Sequence, residues 1–267
     1  MAKIDGGRPG FREWVDLLPD PKWSAMPLTH ITKGLIAEDI CRAGEVQPES
    51  CSVFGETLAY FFYGRPAYRV SGDGAIKVEA ACPYCFIFNA SLIHRARAIF
   101  AFDTGAFENR LYKHVFLEEM KVADFSLQKD ETRPNRLIGT VFETRGKYFD
   151  GDVSQVRNLE AAIPKWRHHV HAYLDLMSSR GRNEPDDRIY SIEVLFSAPI
   201  PLEGNLLAVI MPHTILEGHQ QAPWLEALQA KGVTLTPYPF VPGRGPDYYQ
   251  AQLESTVREL YKPWGAL

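Results

Sequence analysis

The alternation of apolar stretches with polar segments predicts a series of short strands. Strand-like sequences, rich in aromatic and β-branched residues, are LTHIT at 28–32, LAYFFY at 58–63, AIKVEAACPYCFIF at 75–88, RIYSIEVLFSAPI at 188–200 and NLLAVIMP at 205–212. Residues of these types favour a pleated, partly buried backbone. We expect the last two strands to be neighbours in one sheet.

Helices are predicted where apolar residues recur every three or four positions. These sequences are KGLIAEDICRAG ending at Gly44, FENRLYKHVFLEEM at 107–120, a long stretch over about 152–181 that Pro164 kinks or divides, APWLEALQAKG before a short strand, and a closing helix at about 247–264. Helices stand between strands without a regular βαβ alternation, which predicts an α+β fold. Residues 28–267 then form one domain, because no repeat, low-complexity tract or long linker divides them.

Residues 1–27 are expected to form an irregular N-terminal arm. Prolines at positions 9, 19 and 21 interrupt any long regular element in this segment. Its two tryptophans, Trp14 and Trp23, are expected to pack on the body of the protein and so to hold the arm in place.

Composition and charge argue against several classes of protein. The chain of 267 residues is 45% hydrophobic and 23% charged, and no apolar run approaches the ~20 residues that a membrane span requires. Its first residues lack the apolar core of a signal peptide, and its four cysteines are too few for a disulfide scaffold, so we expect a cytoplasmic protein. A formal charge of −4 argues against affinity that rests on broad neutralisation of phosphates, although residues 94–98 and 165–169 could form a local basic groove.

Two motifs are similar to known sites but lack the context that those sites need. CPYC, with Cys82 and Cys85, has the spacing of a thiol–disulfide active site, which requires an exposed cysteine at a helix N-terminus. The residues that follow, FIFNASL, predict instead a buried strand. His168 and His171 share a face of the predicted long helix, but no carboxylate on that face completes a metal site. We therefore expect solvated histidines and no metal.

Two polar features stand in or beside apolar strands. FFYGRPAYR, residues 61–69, sets Arg65 and Arg69 among aromatic rings at the end of a strand. The arginines could be solvated with their stems on the rings, or they could bind phosphate and stack on a flat heterocycle. Glu193 is the one charged residue in YSIEVLF and is either a strand glutamate that faces solvent or a catalytic carboxylate.

Four segments, taken in order, resemble the DarT-type ADP-ribosyltransferases, bacterial toxins that attach ADP-ribose from NAD to nucleic-acid bases. LTHIT is similar to the family's opening His-Ile/Leu-Thr strand, and YFFYGRPAYR to the segment that carries an essential arginine. Residues 96–127 are similar to a stretch in which Thr-Asp-Gly leads into a helix, and residues 186–212 to the strand of the catalytic glutamate. The chain departs from the family at Lys33, Gly34 and Leu35, where relatives usually have an asparagine and a leucine that contact NAD, and its arginine segment is one residue shorter.

The resemblance implies a fold, a substrate and a set of site residues. The fold is an ADP-ribosyltransferase-like split mixed sheet with flanking helices, and the substrate is NAD. The catalytic residues are Glu193 and Arg65, and the NAD-binding residues are His30, Thr32, Tyr63, Tyr68 and Arg69. Tyr63 or Tyr68 would stack on the nicotinamide ring, and Arg65 would hold the pyrophosphate or position the acceptor. Further implications are a nucleic-acid acceptor in DNA or RNA, a role as a toxin or phage-defence effector, and a partner antitoxin.

The chemistry of ADP-ribosyl transfer suits a carboxylate. Cleavage of the nicotinamide–ribose bond passes through an oxocarbenium-like state, whose positive charge a nearby carboxylate stabilises. The same residues could hydrolyse NAD with water as the acceptor. Two other interpretations stay open: an inert module that binds a nucleotide or a partner protein, which a solvent-facing Glu193 would favour, and glutaredoxin-like redox activity, which requires an exposed Cys82. His30 could bind a ribose hydroxyl or be a core histidine bonded to the backbone.

Overall fold

A computed structural model of the chain describes residues 1–67, 74–179, 187–217 and 222–267. The strands in these ranges are β1 (Leu28–Lys33), β2 (Glu45–Val46), β3 (Glu49–Ser50), β4 (Thr57–Tyr63), β5 (Pro83–Phe88), β6 (Ala98–Phe100), β7 (Ser126–Leu127), β8 (Glu193–Phe196), β9 (Ile200–Pro201), β10 (Leu206–Pro212) and β11 (Thr234–Tyr238). The helices are α1 (Gly10–Leu17), α2 (Gly34–Ala43), α3 (Thr104–Glu108), α4 (Thr132–Val141), α5 (Arg145–Asp150), α6 (Val156–Ala162), α7 (His168–Ser178), α8 (His213–Leu216), α9 (Pro223–Ala230) and α10 (Pro246–Tyr261). Short 3₁₀ helices cover Glu79–Ala81, Ala90–Arg95, Val122–Phe125 and Asp187–Tyr190.

Nine of the described strands form one mixed sheet with helices around it. The strand order is β11-β10-β5-β1-β4-β8-β6-β7, with β3 paired to β4 outside this path, while β2 and β9 form a separate pair. Among the described pairs, β10 and β11 run parallel and the others are antiparallel. The apolar faces of the sheet and the helices meet in one hydrophobic core, so the described residues belong to a single domain.

Strands β1 and β4 are paired at one end only. The first two residues of β1 lie opposite β4, whereas all six, Leu28–Lys33, pair with β5. The two strands therefore diverge, and a cleft opens between them. At the start of the divergence, the Nδ1–H of His30 donates a hydrogen bond of 2.8 Å to the carbonyl oxygen of Tyr60. This side chain satisfies a backbone acceptor on the edge of β4 that faces the cleft.

Helix α2 follows β1 without a connecting loop, which confirms the predicted strand and helix. Gly34 lets the helix start close to the 3₁₀ helix before β5, because a Cβ at this position would lie 2.5 Å from the carbonyl oxygen of Glu79. The helix ends at Gly44, whose φ of 75° is in the left-handed region that glycine adopts without strain. The close approach at Gly34 fixes the first turn of α2 beside the cleft.

The N-terminal segment is more regular than expected. It contains α1, which buries Phe11 and Trp14. The Phe11 ring lies 5.4 Å from the ring of Phe125 and 5.0 Å from that of Tyr173. The prolines flank this helix and do not interrupt it, so the prediction of an irregular arm was wrong for residues 10–17. The expected packing of the tryptophan on the body is confirmed.

Three other elements differ from their predictions. The strand expected over 75–88 begins only at Pro83, because a 3₁₀ helix precedes it. The helix expected over 107–120 ends at Glu108, and the aromatic side chains of this segment pack around Phe102 from successive turns. Strand β10 pairs with β5 and β11, and its expected neighbour β8 lies elsewhere in the sheet.

The remaining predicted elements are confirmed in whole or in part. Pro164 lies between α6 and α7 and so divides the predicted long helix. The strand expected over 188–200 is present as the shorter β8 and β9, and α9, β11 and α10 follow in the predicted order. In the part of the chain that the structure describes, no helix combines the length and the apolar character needed to cross a membrane.

Candidate active site

Glu193 begins β8 and is positioned by strands on both sides. Its register partners are Phe62 of β4 and Phe100 of β6. The residue is 1% exposed. Its Oε2 accepts two hydrogen bonds from Thr104, one of 3.2 Å from the backbone N–H and one of 2.6 Å from Oγ1–H. Glu193 is therefore not a strand glutamate that faces bulk solvent.

The surroundings of this carboxylate disfavour its charged form. Burial raises the pKa of Glu193 well above its ordinary value, and the nearby charge of Asp103 raises it further, whereas the hydrogen bonds from Thr104 act in the opposite direction. Asp103 is itself buried and caps α3, since its Oδ1 accepts a hydrogen bond of 2.7 Å from the N–H of Ala106. Neighbouring buried carboxyl groups that raise each other's pKa are typical of functional sites.

A pocket of about 560 Å³, here called the Glu193 pocket, lies against this carboxylate. A second pocket of about 390 Å³ lies between β1, β3 and α2. The two pockets share Thr32, Ile36, Ser50 and Tyr60 as lining residues. They are therefore parts of one cleft, which lies where β1 and β4 diverge and has a size typical of small-molecule sites.

Two of the predicted NAD-binding residues line this cleft. Thr32 lines both pockets and His30 lines the second one. Because Nδ1 of His30 donates its proton to a carbonyl oxygen, the neutral imidazole retains Nε2 as an acceptor. Removal of the ring from water lowers the pKa of His30 and so favours this neutral form. The structure brings Glu193, His30 and Thr32 to the same cleft.

One edge of the Glu193 pocket is formed by the start of α2. Lys33 and Ile36, on either side of the helix start, both line the pocket. The N–H of Gly34 donates to the carbonyl oxygen of Cys82, and no described side chain caps the helix. The next N–H groups of the first turn, together with the lysine ammonium, favour an anion at this edge.

Arg65 is not among the described residues that line either pocket. Its side chain is 5% exposed, and its Nη2 lies 3.1 Å from Oε1 of Glu254 in α10. The guanidinium carbon is 5.6 Å from the centre of the Tyr190 ring. An ion pair with α10 holds the guanidinium, and the role of Arg65 beside NAD stays a prediction.

Tyr63 is buried in the core and is not available to stack on a ligand in the cleft. Its hydroxyl donates a hydrogen bond of 2.9 Å to Oδ1 of Asn135 and accepts one of 3.0 Å from the N–H of Met26. Its expected role at the nicotinamide ring is therefore corrected. The other two predicted residues, Tyr68 and Arg69, lie outside the described residues.

Tyr60 is an aromatic wall of the cleft that the sequence prediction missed. It lines both pockets, and its hydroxyl contacts Sγ of Cys51. Burial raises the pKa of Tyr60, so its phenol stays neutral. Side chains alternate along a strand, so Tyr60 lies on the same face of β4 as Phe62. Phe62 is the register partner of Glu193. The alternation of side chains along β4 is the sequence signal that could have identified Tyr60 as a residue of the cleft wall.

The CPYC motif forms part of the buried sheet, as predicted. Cys82 and Cys85 are free and fully buried. Burial raises the pKa of Cys82 to about 11 and also raises that of Cys85, which lies inside β5. A catalytic thiol requires the opposite shift and an exposed helix start. The placement therefore offers no support for the redox alternative.

We expect both CPYC thiols to resist a thiol-specific disulfide reagent in the native protein, because the reactive thiolate is suppressed by burial. The mass of the protein after treatment, with and without denaturant, measures this resistance. The double variant Cys82→Ser and Cys85→Ser is expected to keep the NAD-consuming activity that the resemblance to DarT-type enzymes implies. Rapid modification of both thiols in the native state would instead support the redox alternative.

The histidines of α7 are less solvated than expected. His168 is exposed, but Nε2 of His169 lies 3.3 Å from Oδ2 of Asp124, and Nδ1 of His171 lies 3.9 Å from Oε1 of Glu160. The prediction of a solvated face is thus corrected for two of the three residues. Within the described ranges, no group of three or more His, Cys, Asp or Glu side chains could hold a metal ion.

Comparisons with known proteins add no family to this picture. No protein-family model, no curated protein and no solved structure matches the chain. The evidence for function is therefore the chemistry of the site itself. That site is a buried carboxylate with a raised pKa at an open cleft, which is a combination typical of catalytic residues.

Proposed function

We propose that the protein is an NAD-dependent ADP-ribosyltransferase in which Glu193 is the catalytic carboxylate. The observation that carries this proposal is the buried position of Glu193, held by Thr104 at the wall of the cleft. Cleavage of the bond between nicotinamide and C1′ of the ribose develops positive charge on the ribose, while nicotinamide leaves as a neutral molecule. A carboxylate in a poorly solvated site stabilises that charge more strongly than one in water.

The raised pKa suits Glu193 for the second half of the reaction. As the bond to nicotinamide breaks, an oxygen or nitrogen of the acceptor forms a bond with C1′ and loses a proton. A carboxylate with a raised pKa is a stronger base than an ordinary one and takes up that proton. With water in place of the acceptor, the same steps release ADP-ribose and nicotinamide, which is the hydrolase alternative.

The cleft offers partners for the pyrophosphate, the nicotinamide ring and a ribose hydroxyl of NAD. The divergence of β1 and β4 supports the split sheet that the resemblance to DarT-type enzymes implies. Lys33 and the first turn of α2 suit the pyrophosphate, since both favour negative charge. Tyr60 and Phe62 provide aromatic faces for the nicotinamide ring beside Glu193. Nε2 of His30 accepts a hydrogen bond from a ribose hydroxyl.

The charges along the cleft bear on the identity of the acceptor. Asp39, Glu45 and Glu49 line the second pocket, and the described lining includes no lysine or arginine. In the basic run at 94–98, Arg97 is paired with two carboxylates. A nucleic acid is the acceptor that the resemblance implies, but these charges repel phosphates. They favour a second candidate acceptor, an amine or guanidinium group of a protein.

Incubation with NAD labelled in its adenylate part, in the presence of DNA, RNA or a protein extract, tests the proposal. Label retained in one pool identifies the class of acceptor, and free ADP-ribose in all three indicates hydrolysis. A preparation of Glu193→Gln, treated in the same way, shows whether the label depends on the site. Absence of NAD consumption in every pool contradicts the proposed function.

A further inference from the structure

We propose that Thr104 is a positioning residue that fixes one oxygen of the Glu193 carboxylate, so that the other oxygen is presented to the substrate. This inference rests on the proposed function and extends it to a residue outside the segments predicted to bind NAD. Thr104 is fully buried and is the first residue of α3. It comes from the segment that follows β6, the strand that pairs with β8 at Phe100 and Glu193.

Both donors of Thr104 converge on the same atom. The backbone N–H and the Oγ1–H each donate to Oε2 of Glu193, at 3.2 Å and 2.6 Å. No described residue donates a hydrogen bond to Oε1 of Glu193. Two bonds to one oxygen prevent rotation of the carboxylate about its last torsion, and they leave the other oxygen with its full capacity to accept.

The position of Thr104 is itself fixed by the start of α3. The preceding residue, Asp103, caps the helix through the N–H of Ala106, at 2.7 Å. This cap sets the direction of the N–H groups in the first turn, one of which is the Thr104 N–H that reaches Glu193. The same Asp103 places negative charge next to Glu193, and the threonine bonds counter that charge by stabilising the ionised form.

Thr104→Val removes the hydroxyl and keeps the shape and the backbone N–H. We expect kcat for NAD consumption near neutral pH to fall about tenfold, with KM nearly unchanged, because a hydrogen bond to a charged group is lost after NAD has bound. Loss of a bond to the charged form raises the pKa of Glu193, so the acidic limb of the kcat profile moves to higher pH. Thr104→Ser restores the hydroxyl and should recover most of kcat and the wild-type profile.

Thermal melts of the variants establish that each is folded, and Thr104→Ala replaces the valine variant should the latter not fold. Direct titration of the Glu193 carboxyl group by ¹³C NMR gives a second measurement that needs no activity. A higher titration midpoint in Thr104→Val than in wild type supports the positioning role, whether or not wild type consumes NAD. A wild-type protein that consumes no NAD refutes only the proposed function. An unchanged midpoint, or a wild-type kcat and pH profile in the folded variant, overturns the inference.

Discussion

Replacement of Glu193 by glutamine is expected to lower NAD consumption by at least ~100-fold, which is within the range that acid–base and electrostatic groups contribute to catalysis. Glutamine has the shape of glutamate, and its amide oxygen can still accept the hydrogen bonds that Thr104 donates. The variant should therefore fold with an intact cleft. What it lacks, in the proposed reaction, is the negative charge that would face the developing cation and the base that would take the proton of the acceptor.

The matched control is Glu203→Gln. Glu203 is exposed, forms a surface ion pair of 3.1 Å with Lys231, and is not among the described residues that line the two pockets of the cleft. Because surface ion pairs contribute little, this variant should retain wild-type turnover and a similar melting temperature. A folded Glu193→Gln protein with wild-type NAD turnover would remove Glu193 from the catalytic role.

The stability of Glu193→Gln reports independently on the ionisation of Glu193. The carboxyl group has a pKa near 4.5 in an unfolded chain and a higher one in the native protein. The native state therefore binds this proton more tightly, and wild type loses stability as the pH rises from 4.5 through the native pKa. Glutamine does not titrate, so the stability advantage of the variant should grow with pH across this window and then become constant. A difference that does not change with pH would contradict the buried environment.

Replacement of Arg65 by methionine is expected to lower the free energy of unfolding by about 3 kcal/mol. The substitution removes the cation that pairs with Glu254, so the partly buried carboxylate of Glu254 loses its partner. The value is at the lower end for a buried pair, since the Glu254 side chain is 27% exposed. Glu254→Gln should be destabilising for the reciprocal reason. The control Arg42→Met removes an exposed pair with Glu38 and should cost less than about 0.5 kcal/mol.

The same variants separate two roles for Arg65, whose part in catalysis stays a prediction. A guanidinium held by α10 and absent from the cleft lining should affect NAD turnover only through the fold. Arg65→Lys and Glu254→Gln should then lose similar amounts of activity, in step with their melting temperatures. A fully folded Arg65→Lys protein that loses turnover, beside an active Glu254→Gln protein, would restore Arg65 to the NAD site.

Local signals account for the elements that were predicted from the sequence. The β-branched residues of β1 and the glycine that ends α2 act within a few residues, so pattern alone identifies them. Helix α1 was missed because its stability comes from Phe11 and Trp14 packing on distant elements, while prolines stand on both sides. The pairing of β10 with β5 joins segments more than a hundred residues apart, and no local pattern specifies such a register.

In the candidate site, too, some residues could be predicted from the sequence and others depend on distant strand pairing. Glu193, His30 and Thr32 were predicted through the order of the segments, and the structure brings all three to the cleft. Thr104 and Asp103 were missed because, in FDTGAF, they have the ordinary appearance of a helix start. Their proximity to the carboxylate depends on β6 pairing beside β8, which is a property of the assembled sheet.

The strand order of the sheet also dictates when the cleft can exist during synthesis of the chain. The strands β1, β4 and β5 are made early, but the carboxylate arrives with β8, and β5 acquires its second neighbour only with β10. Folds built on such distant pairings have high contact order and fold slowly. A nascent chain therefore has the walls of the cleft well before Glu193, so that ribosome-bound chains that end before β8 lack the carboxylate of the candidate site.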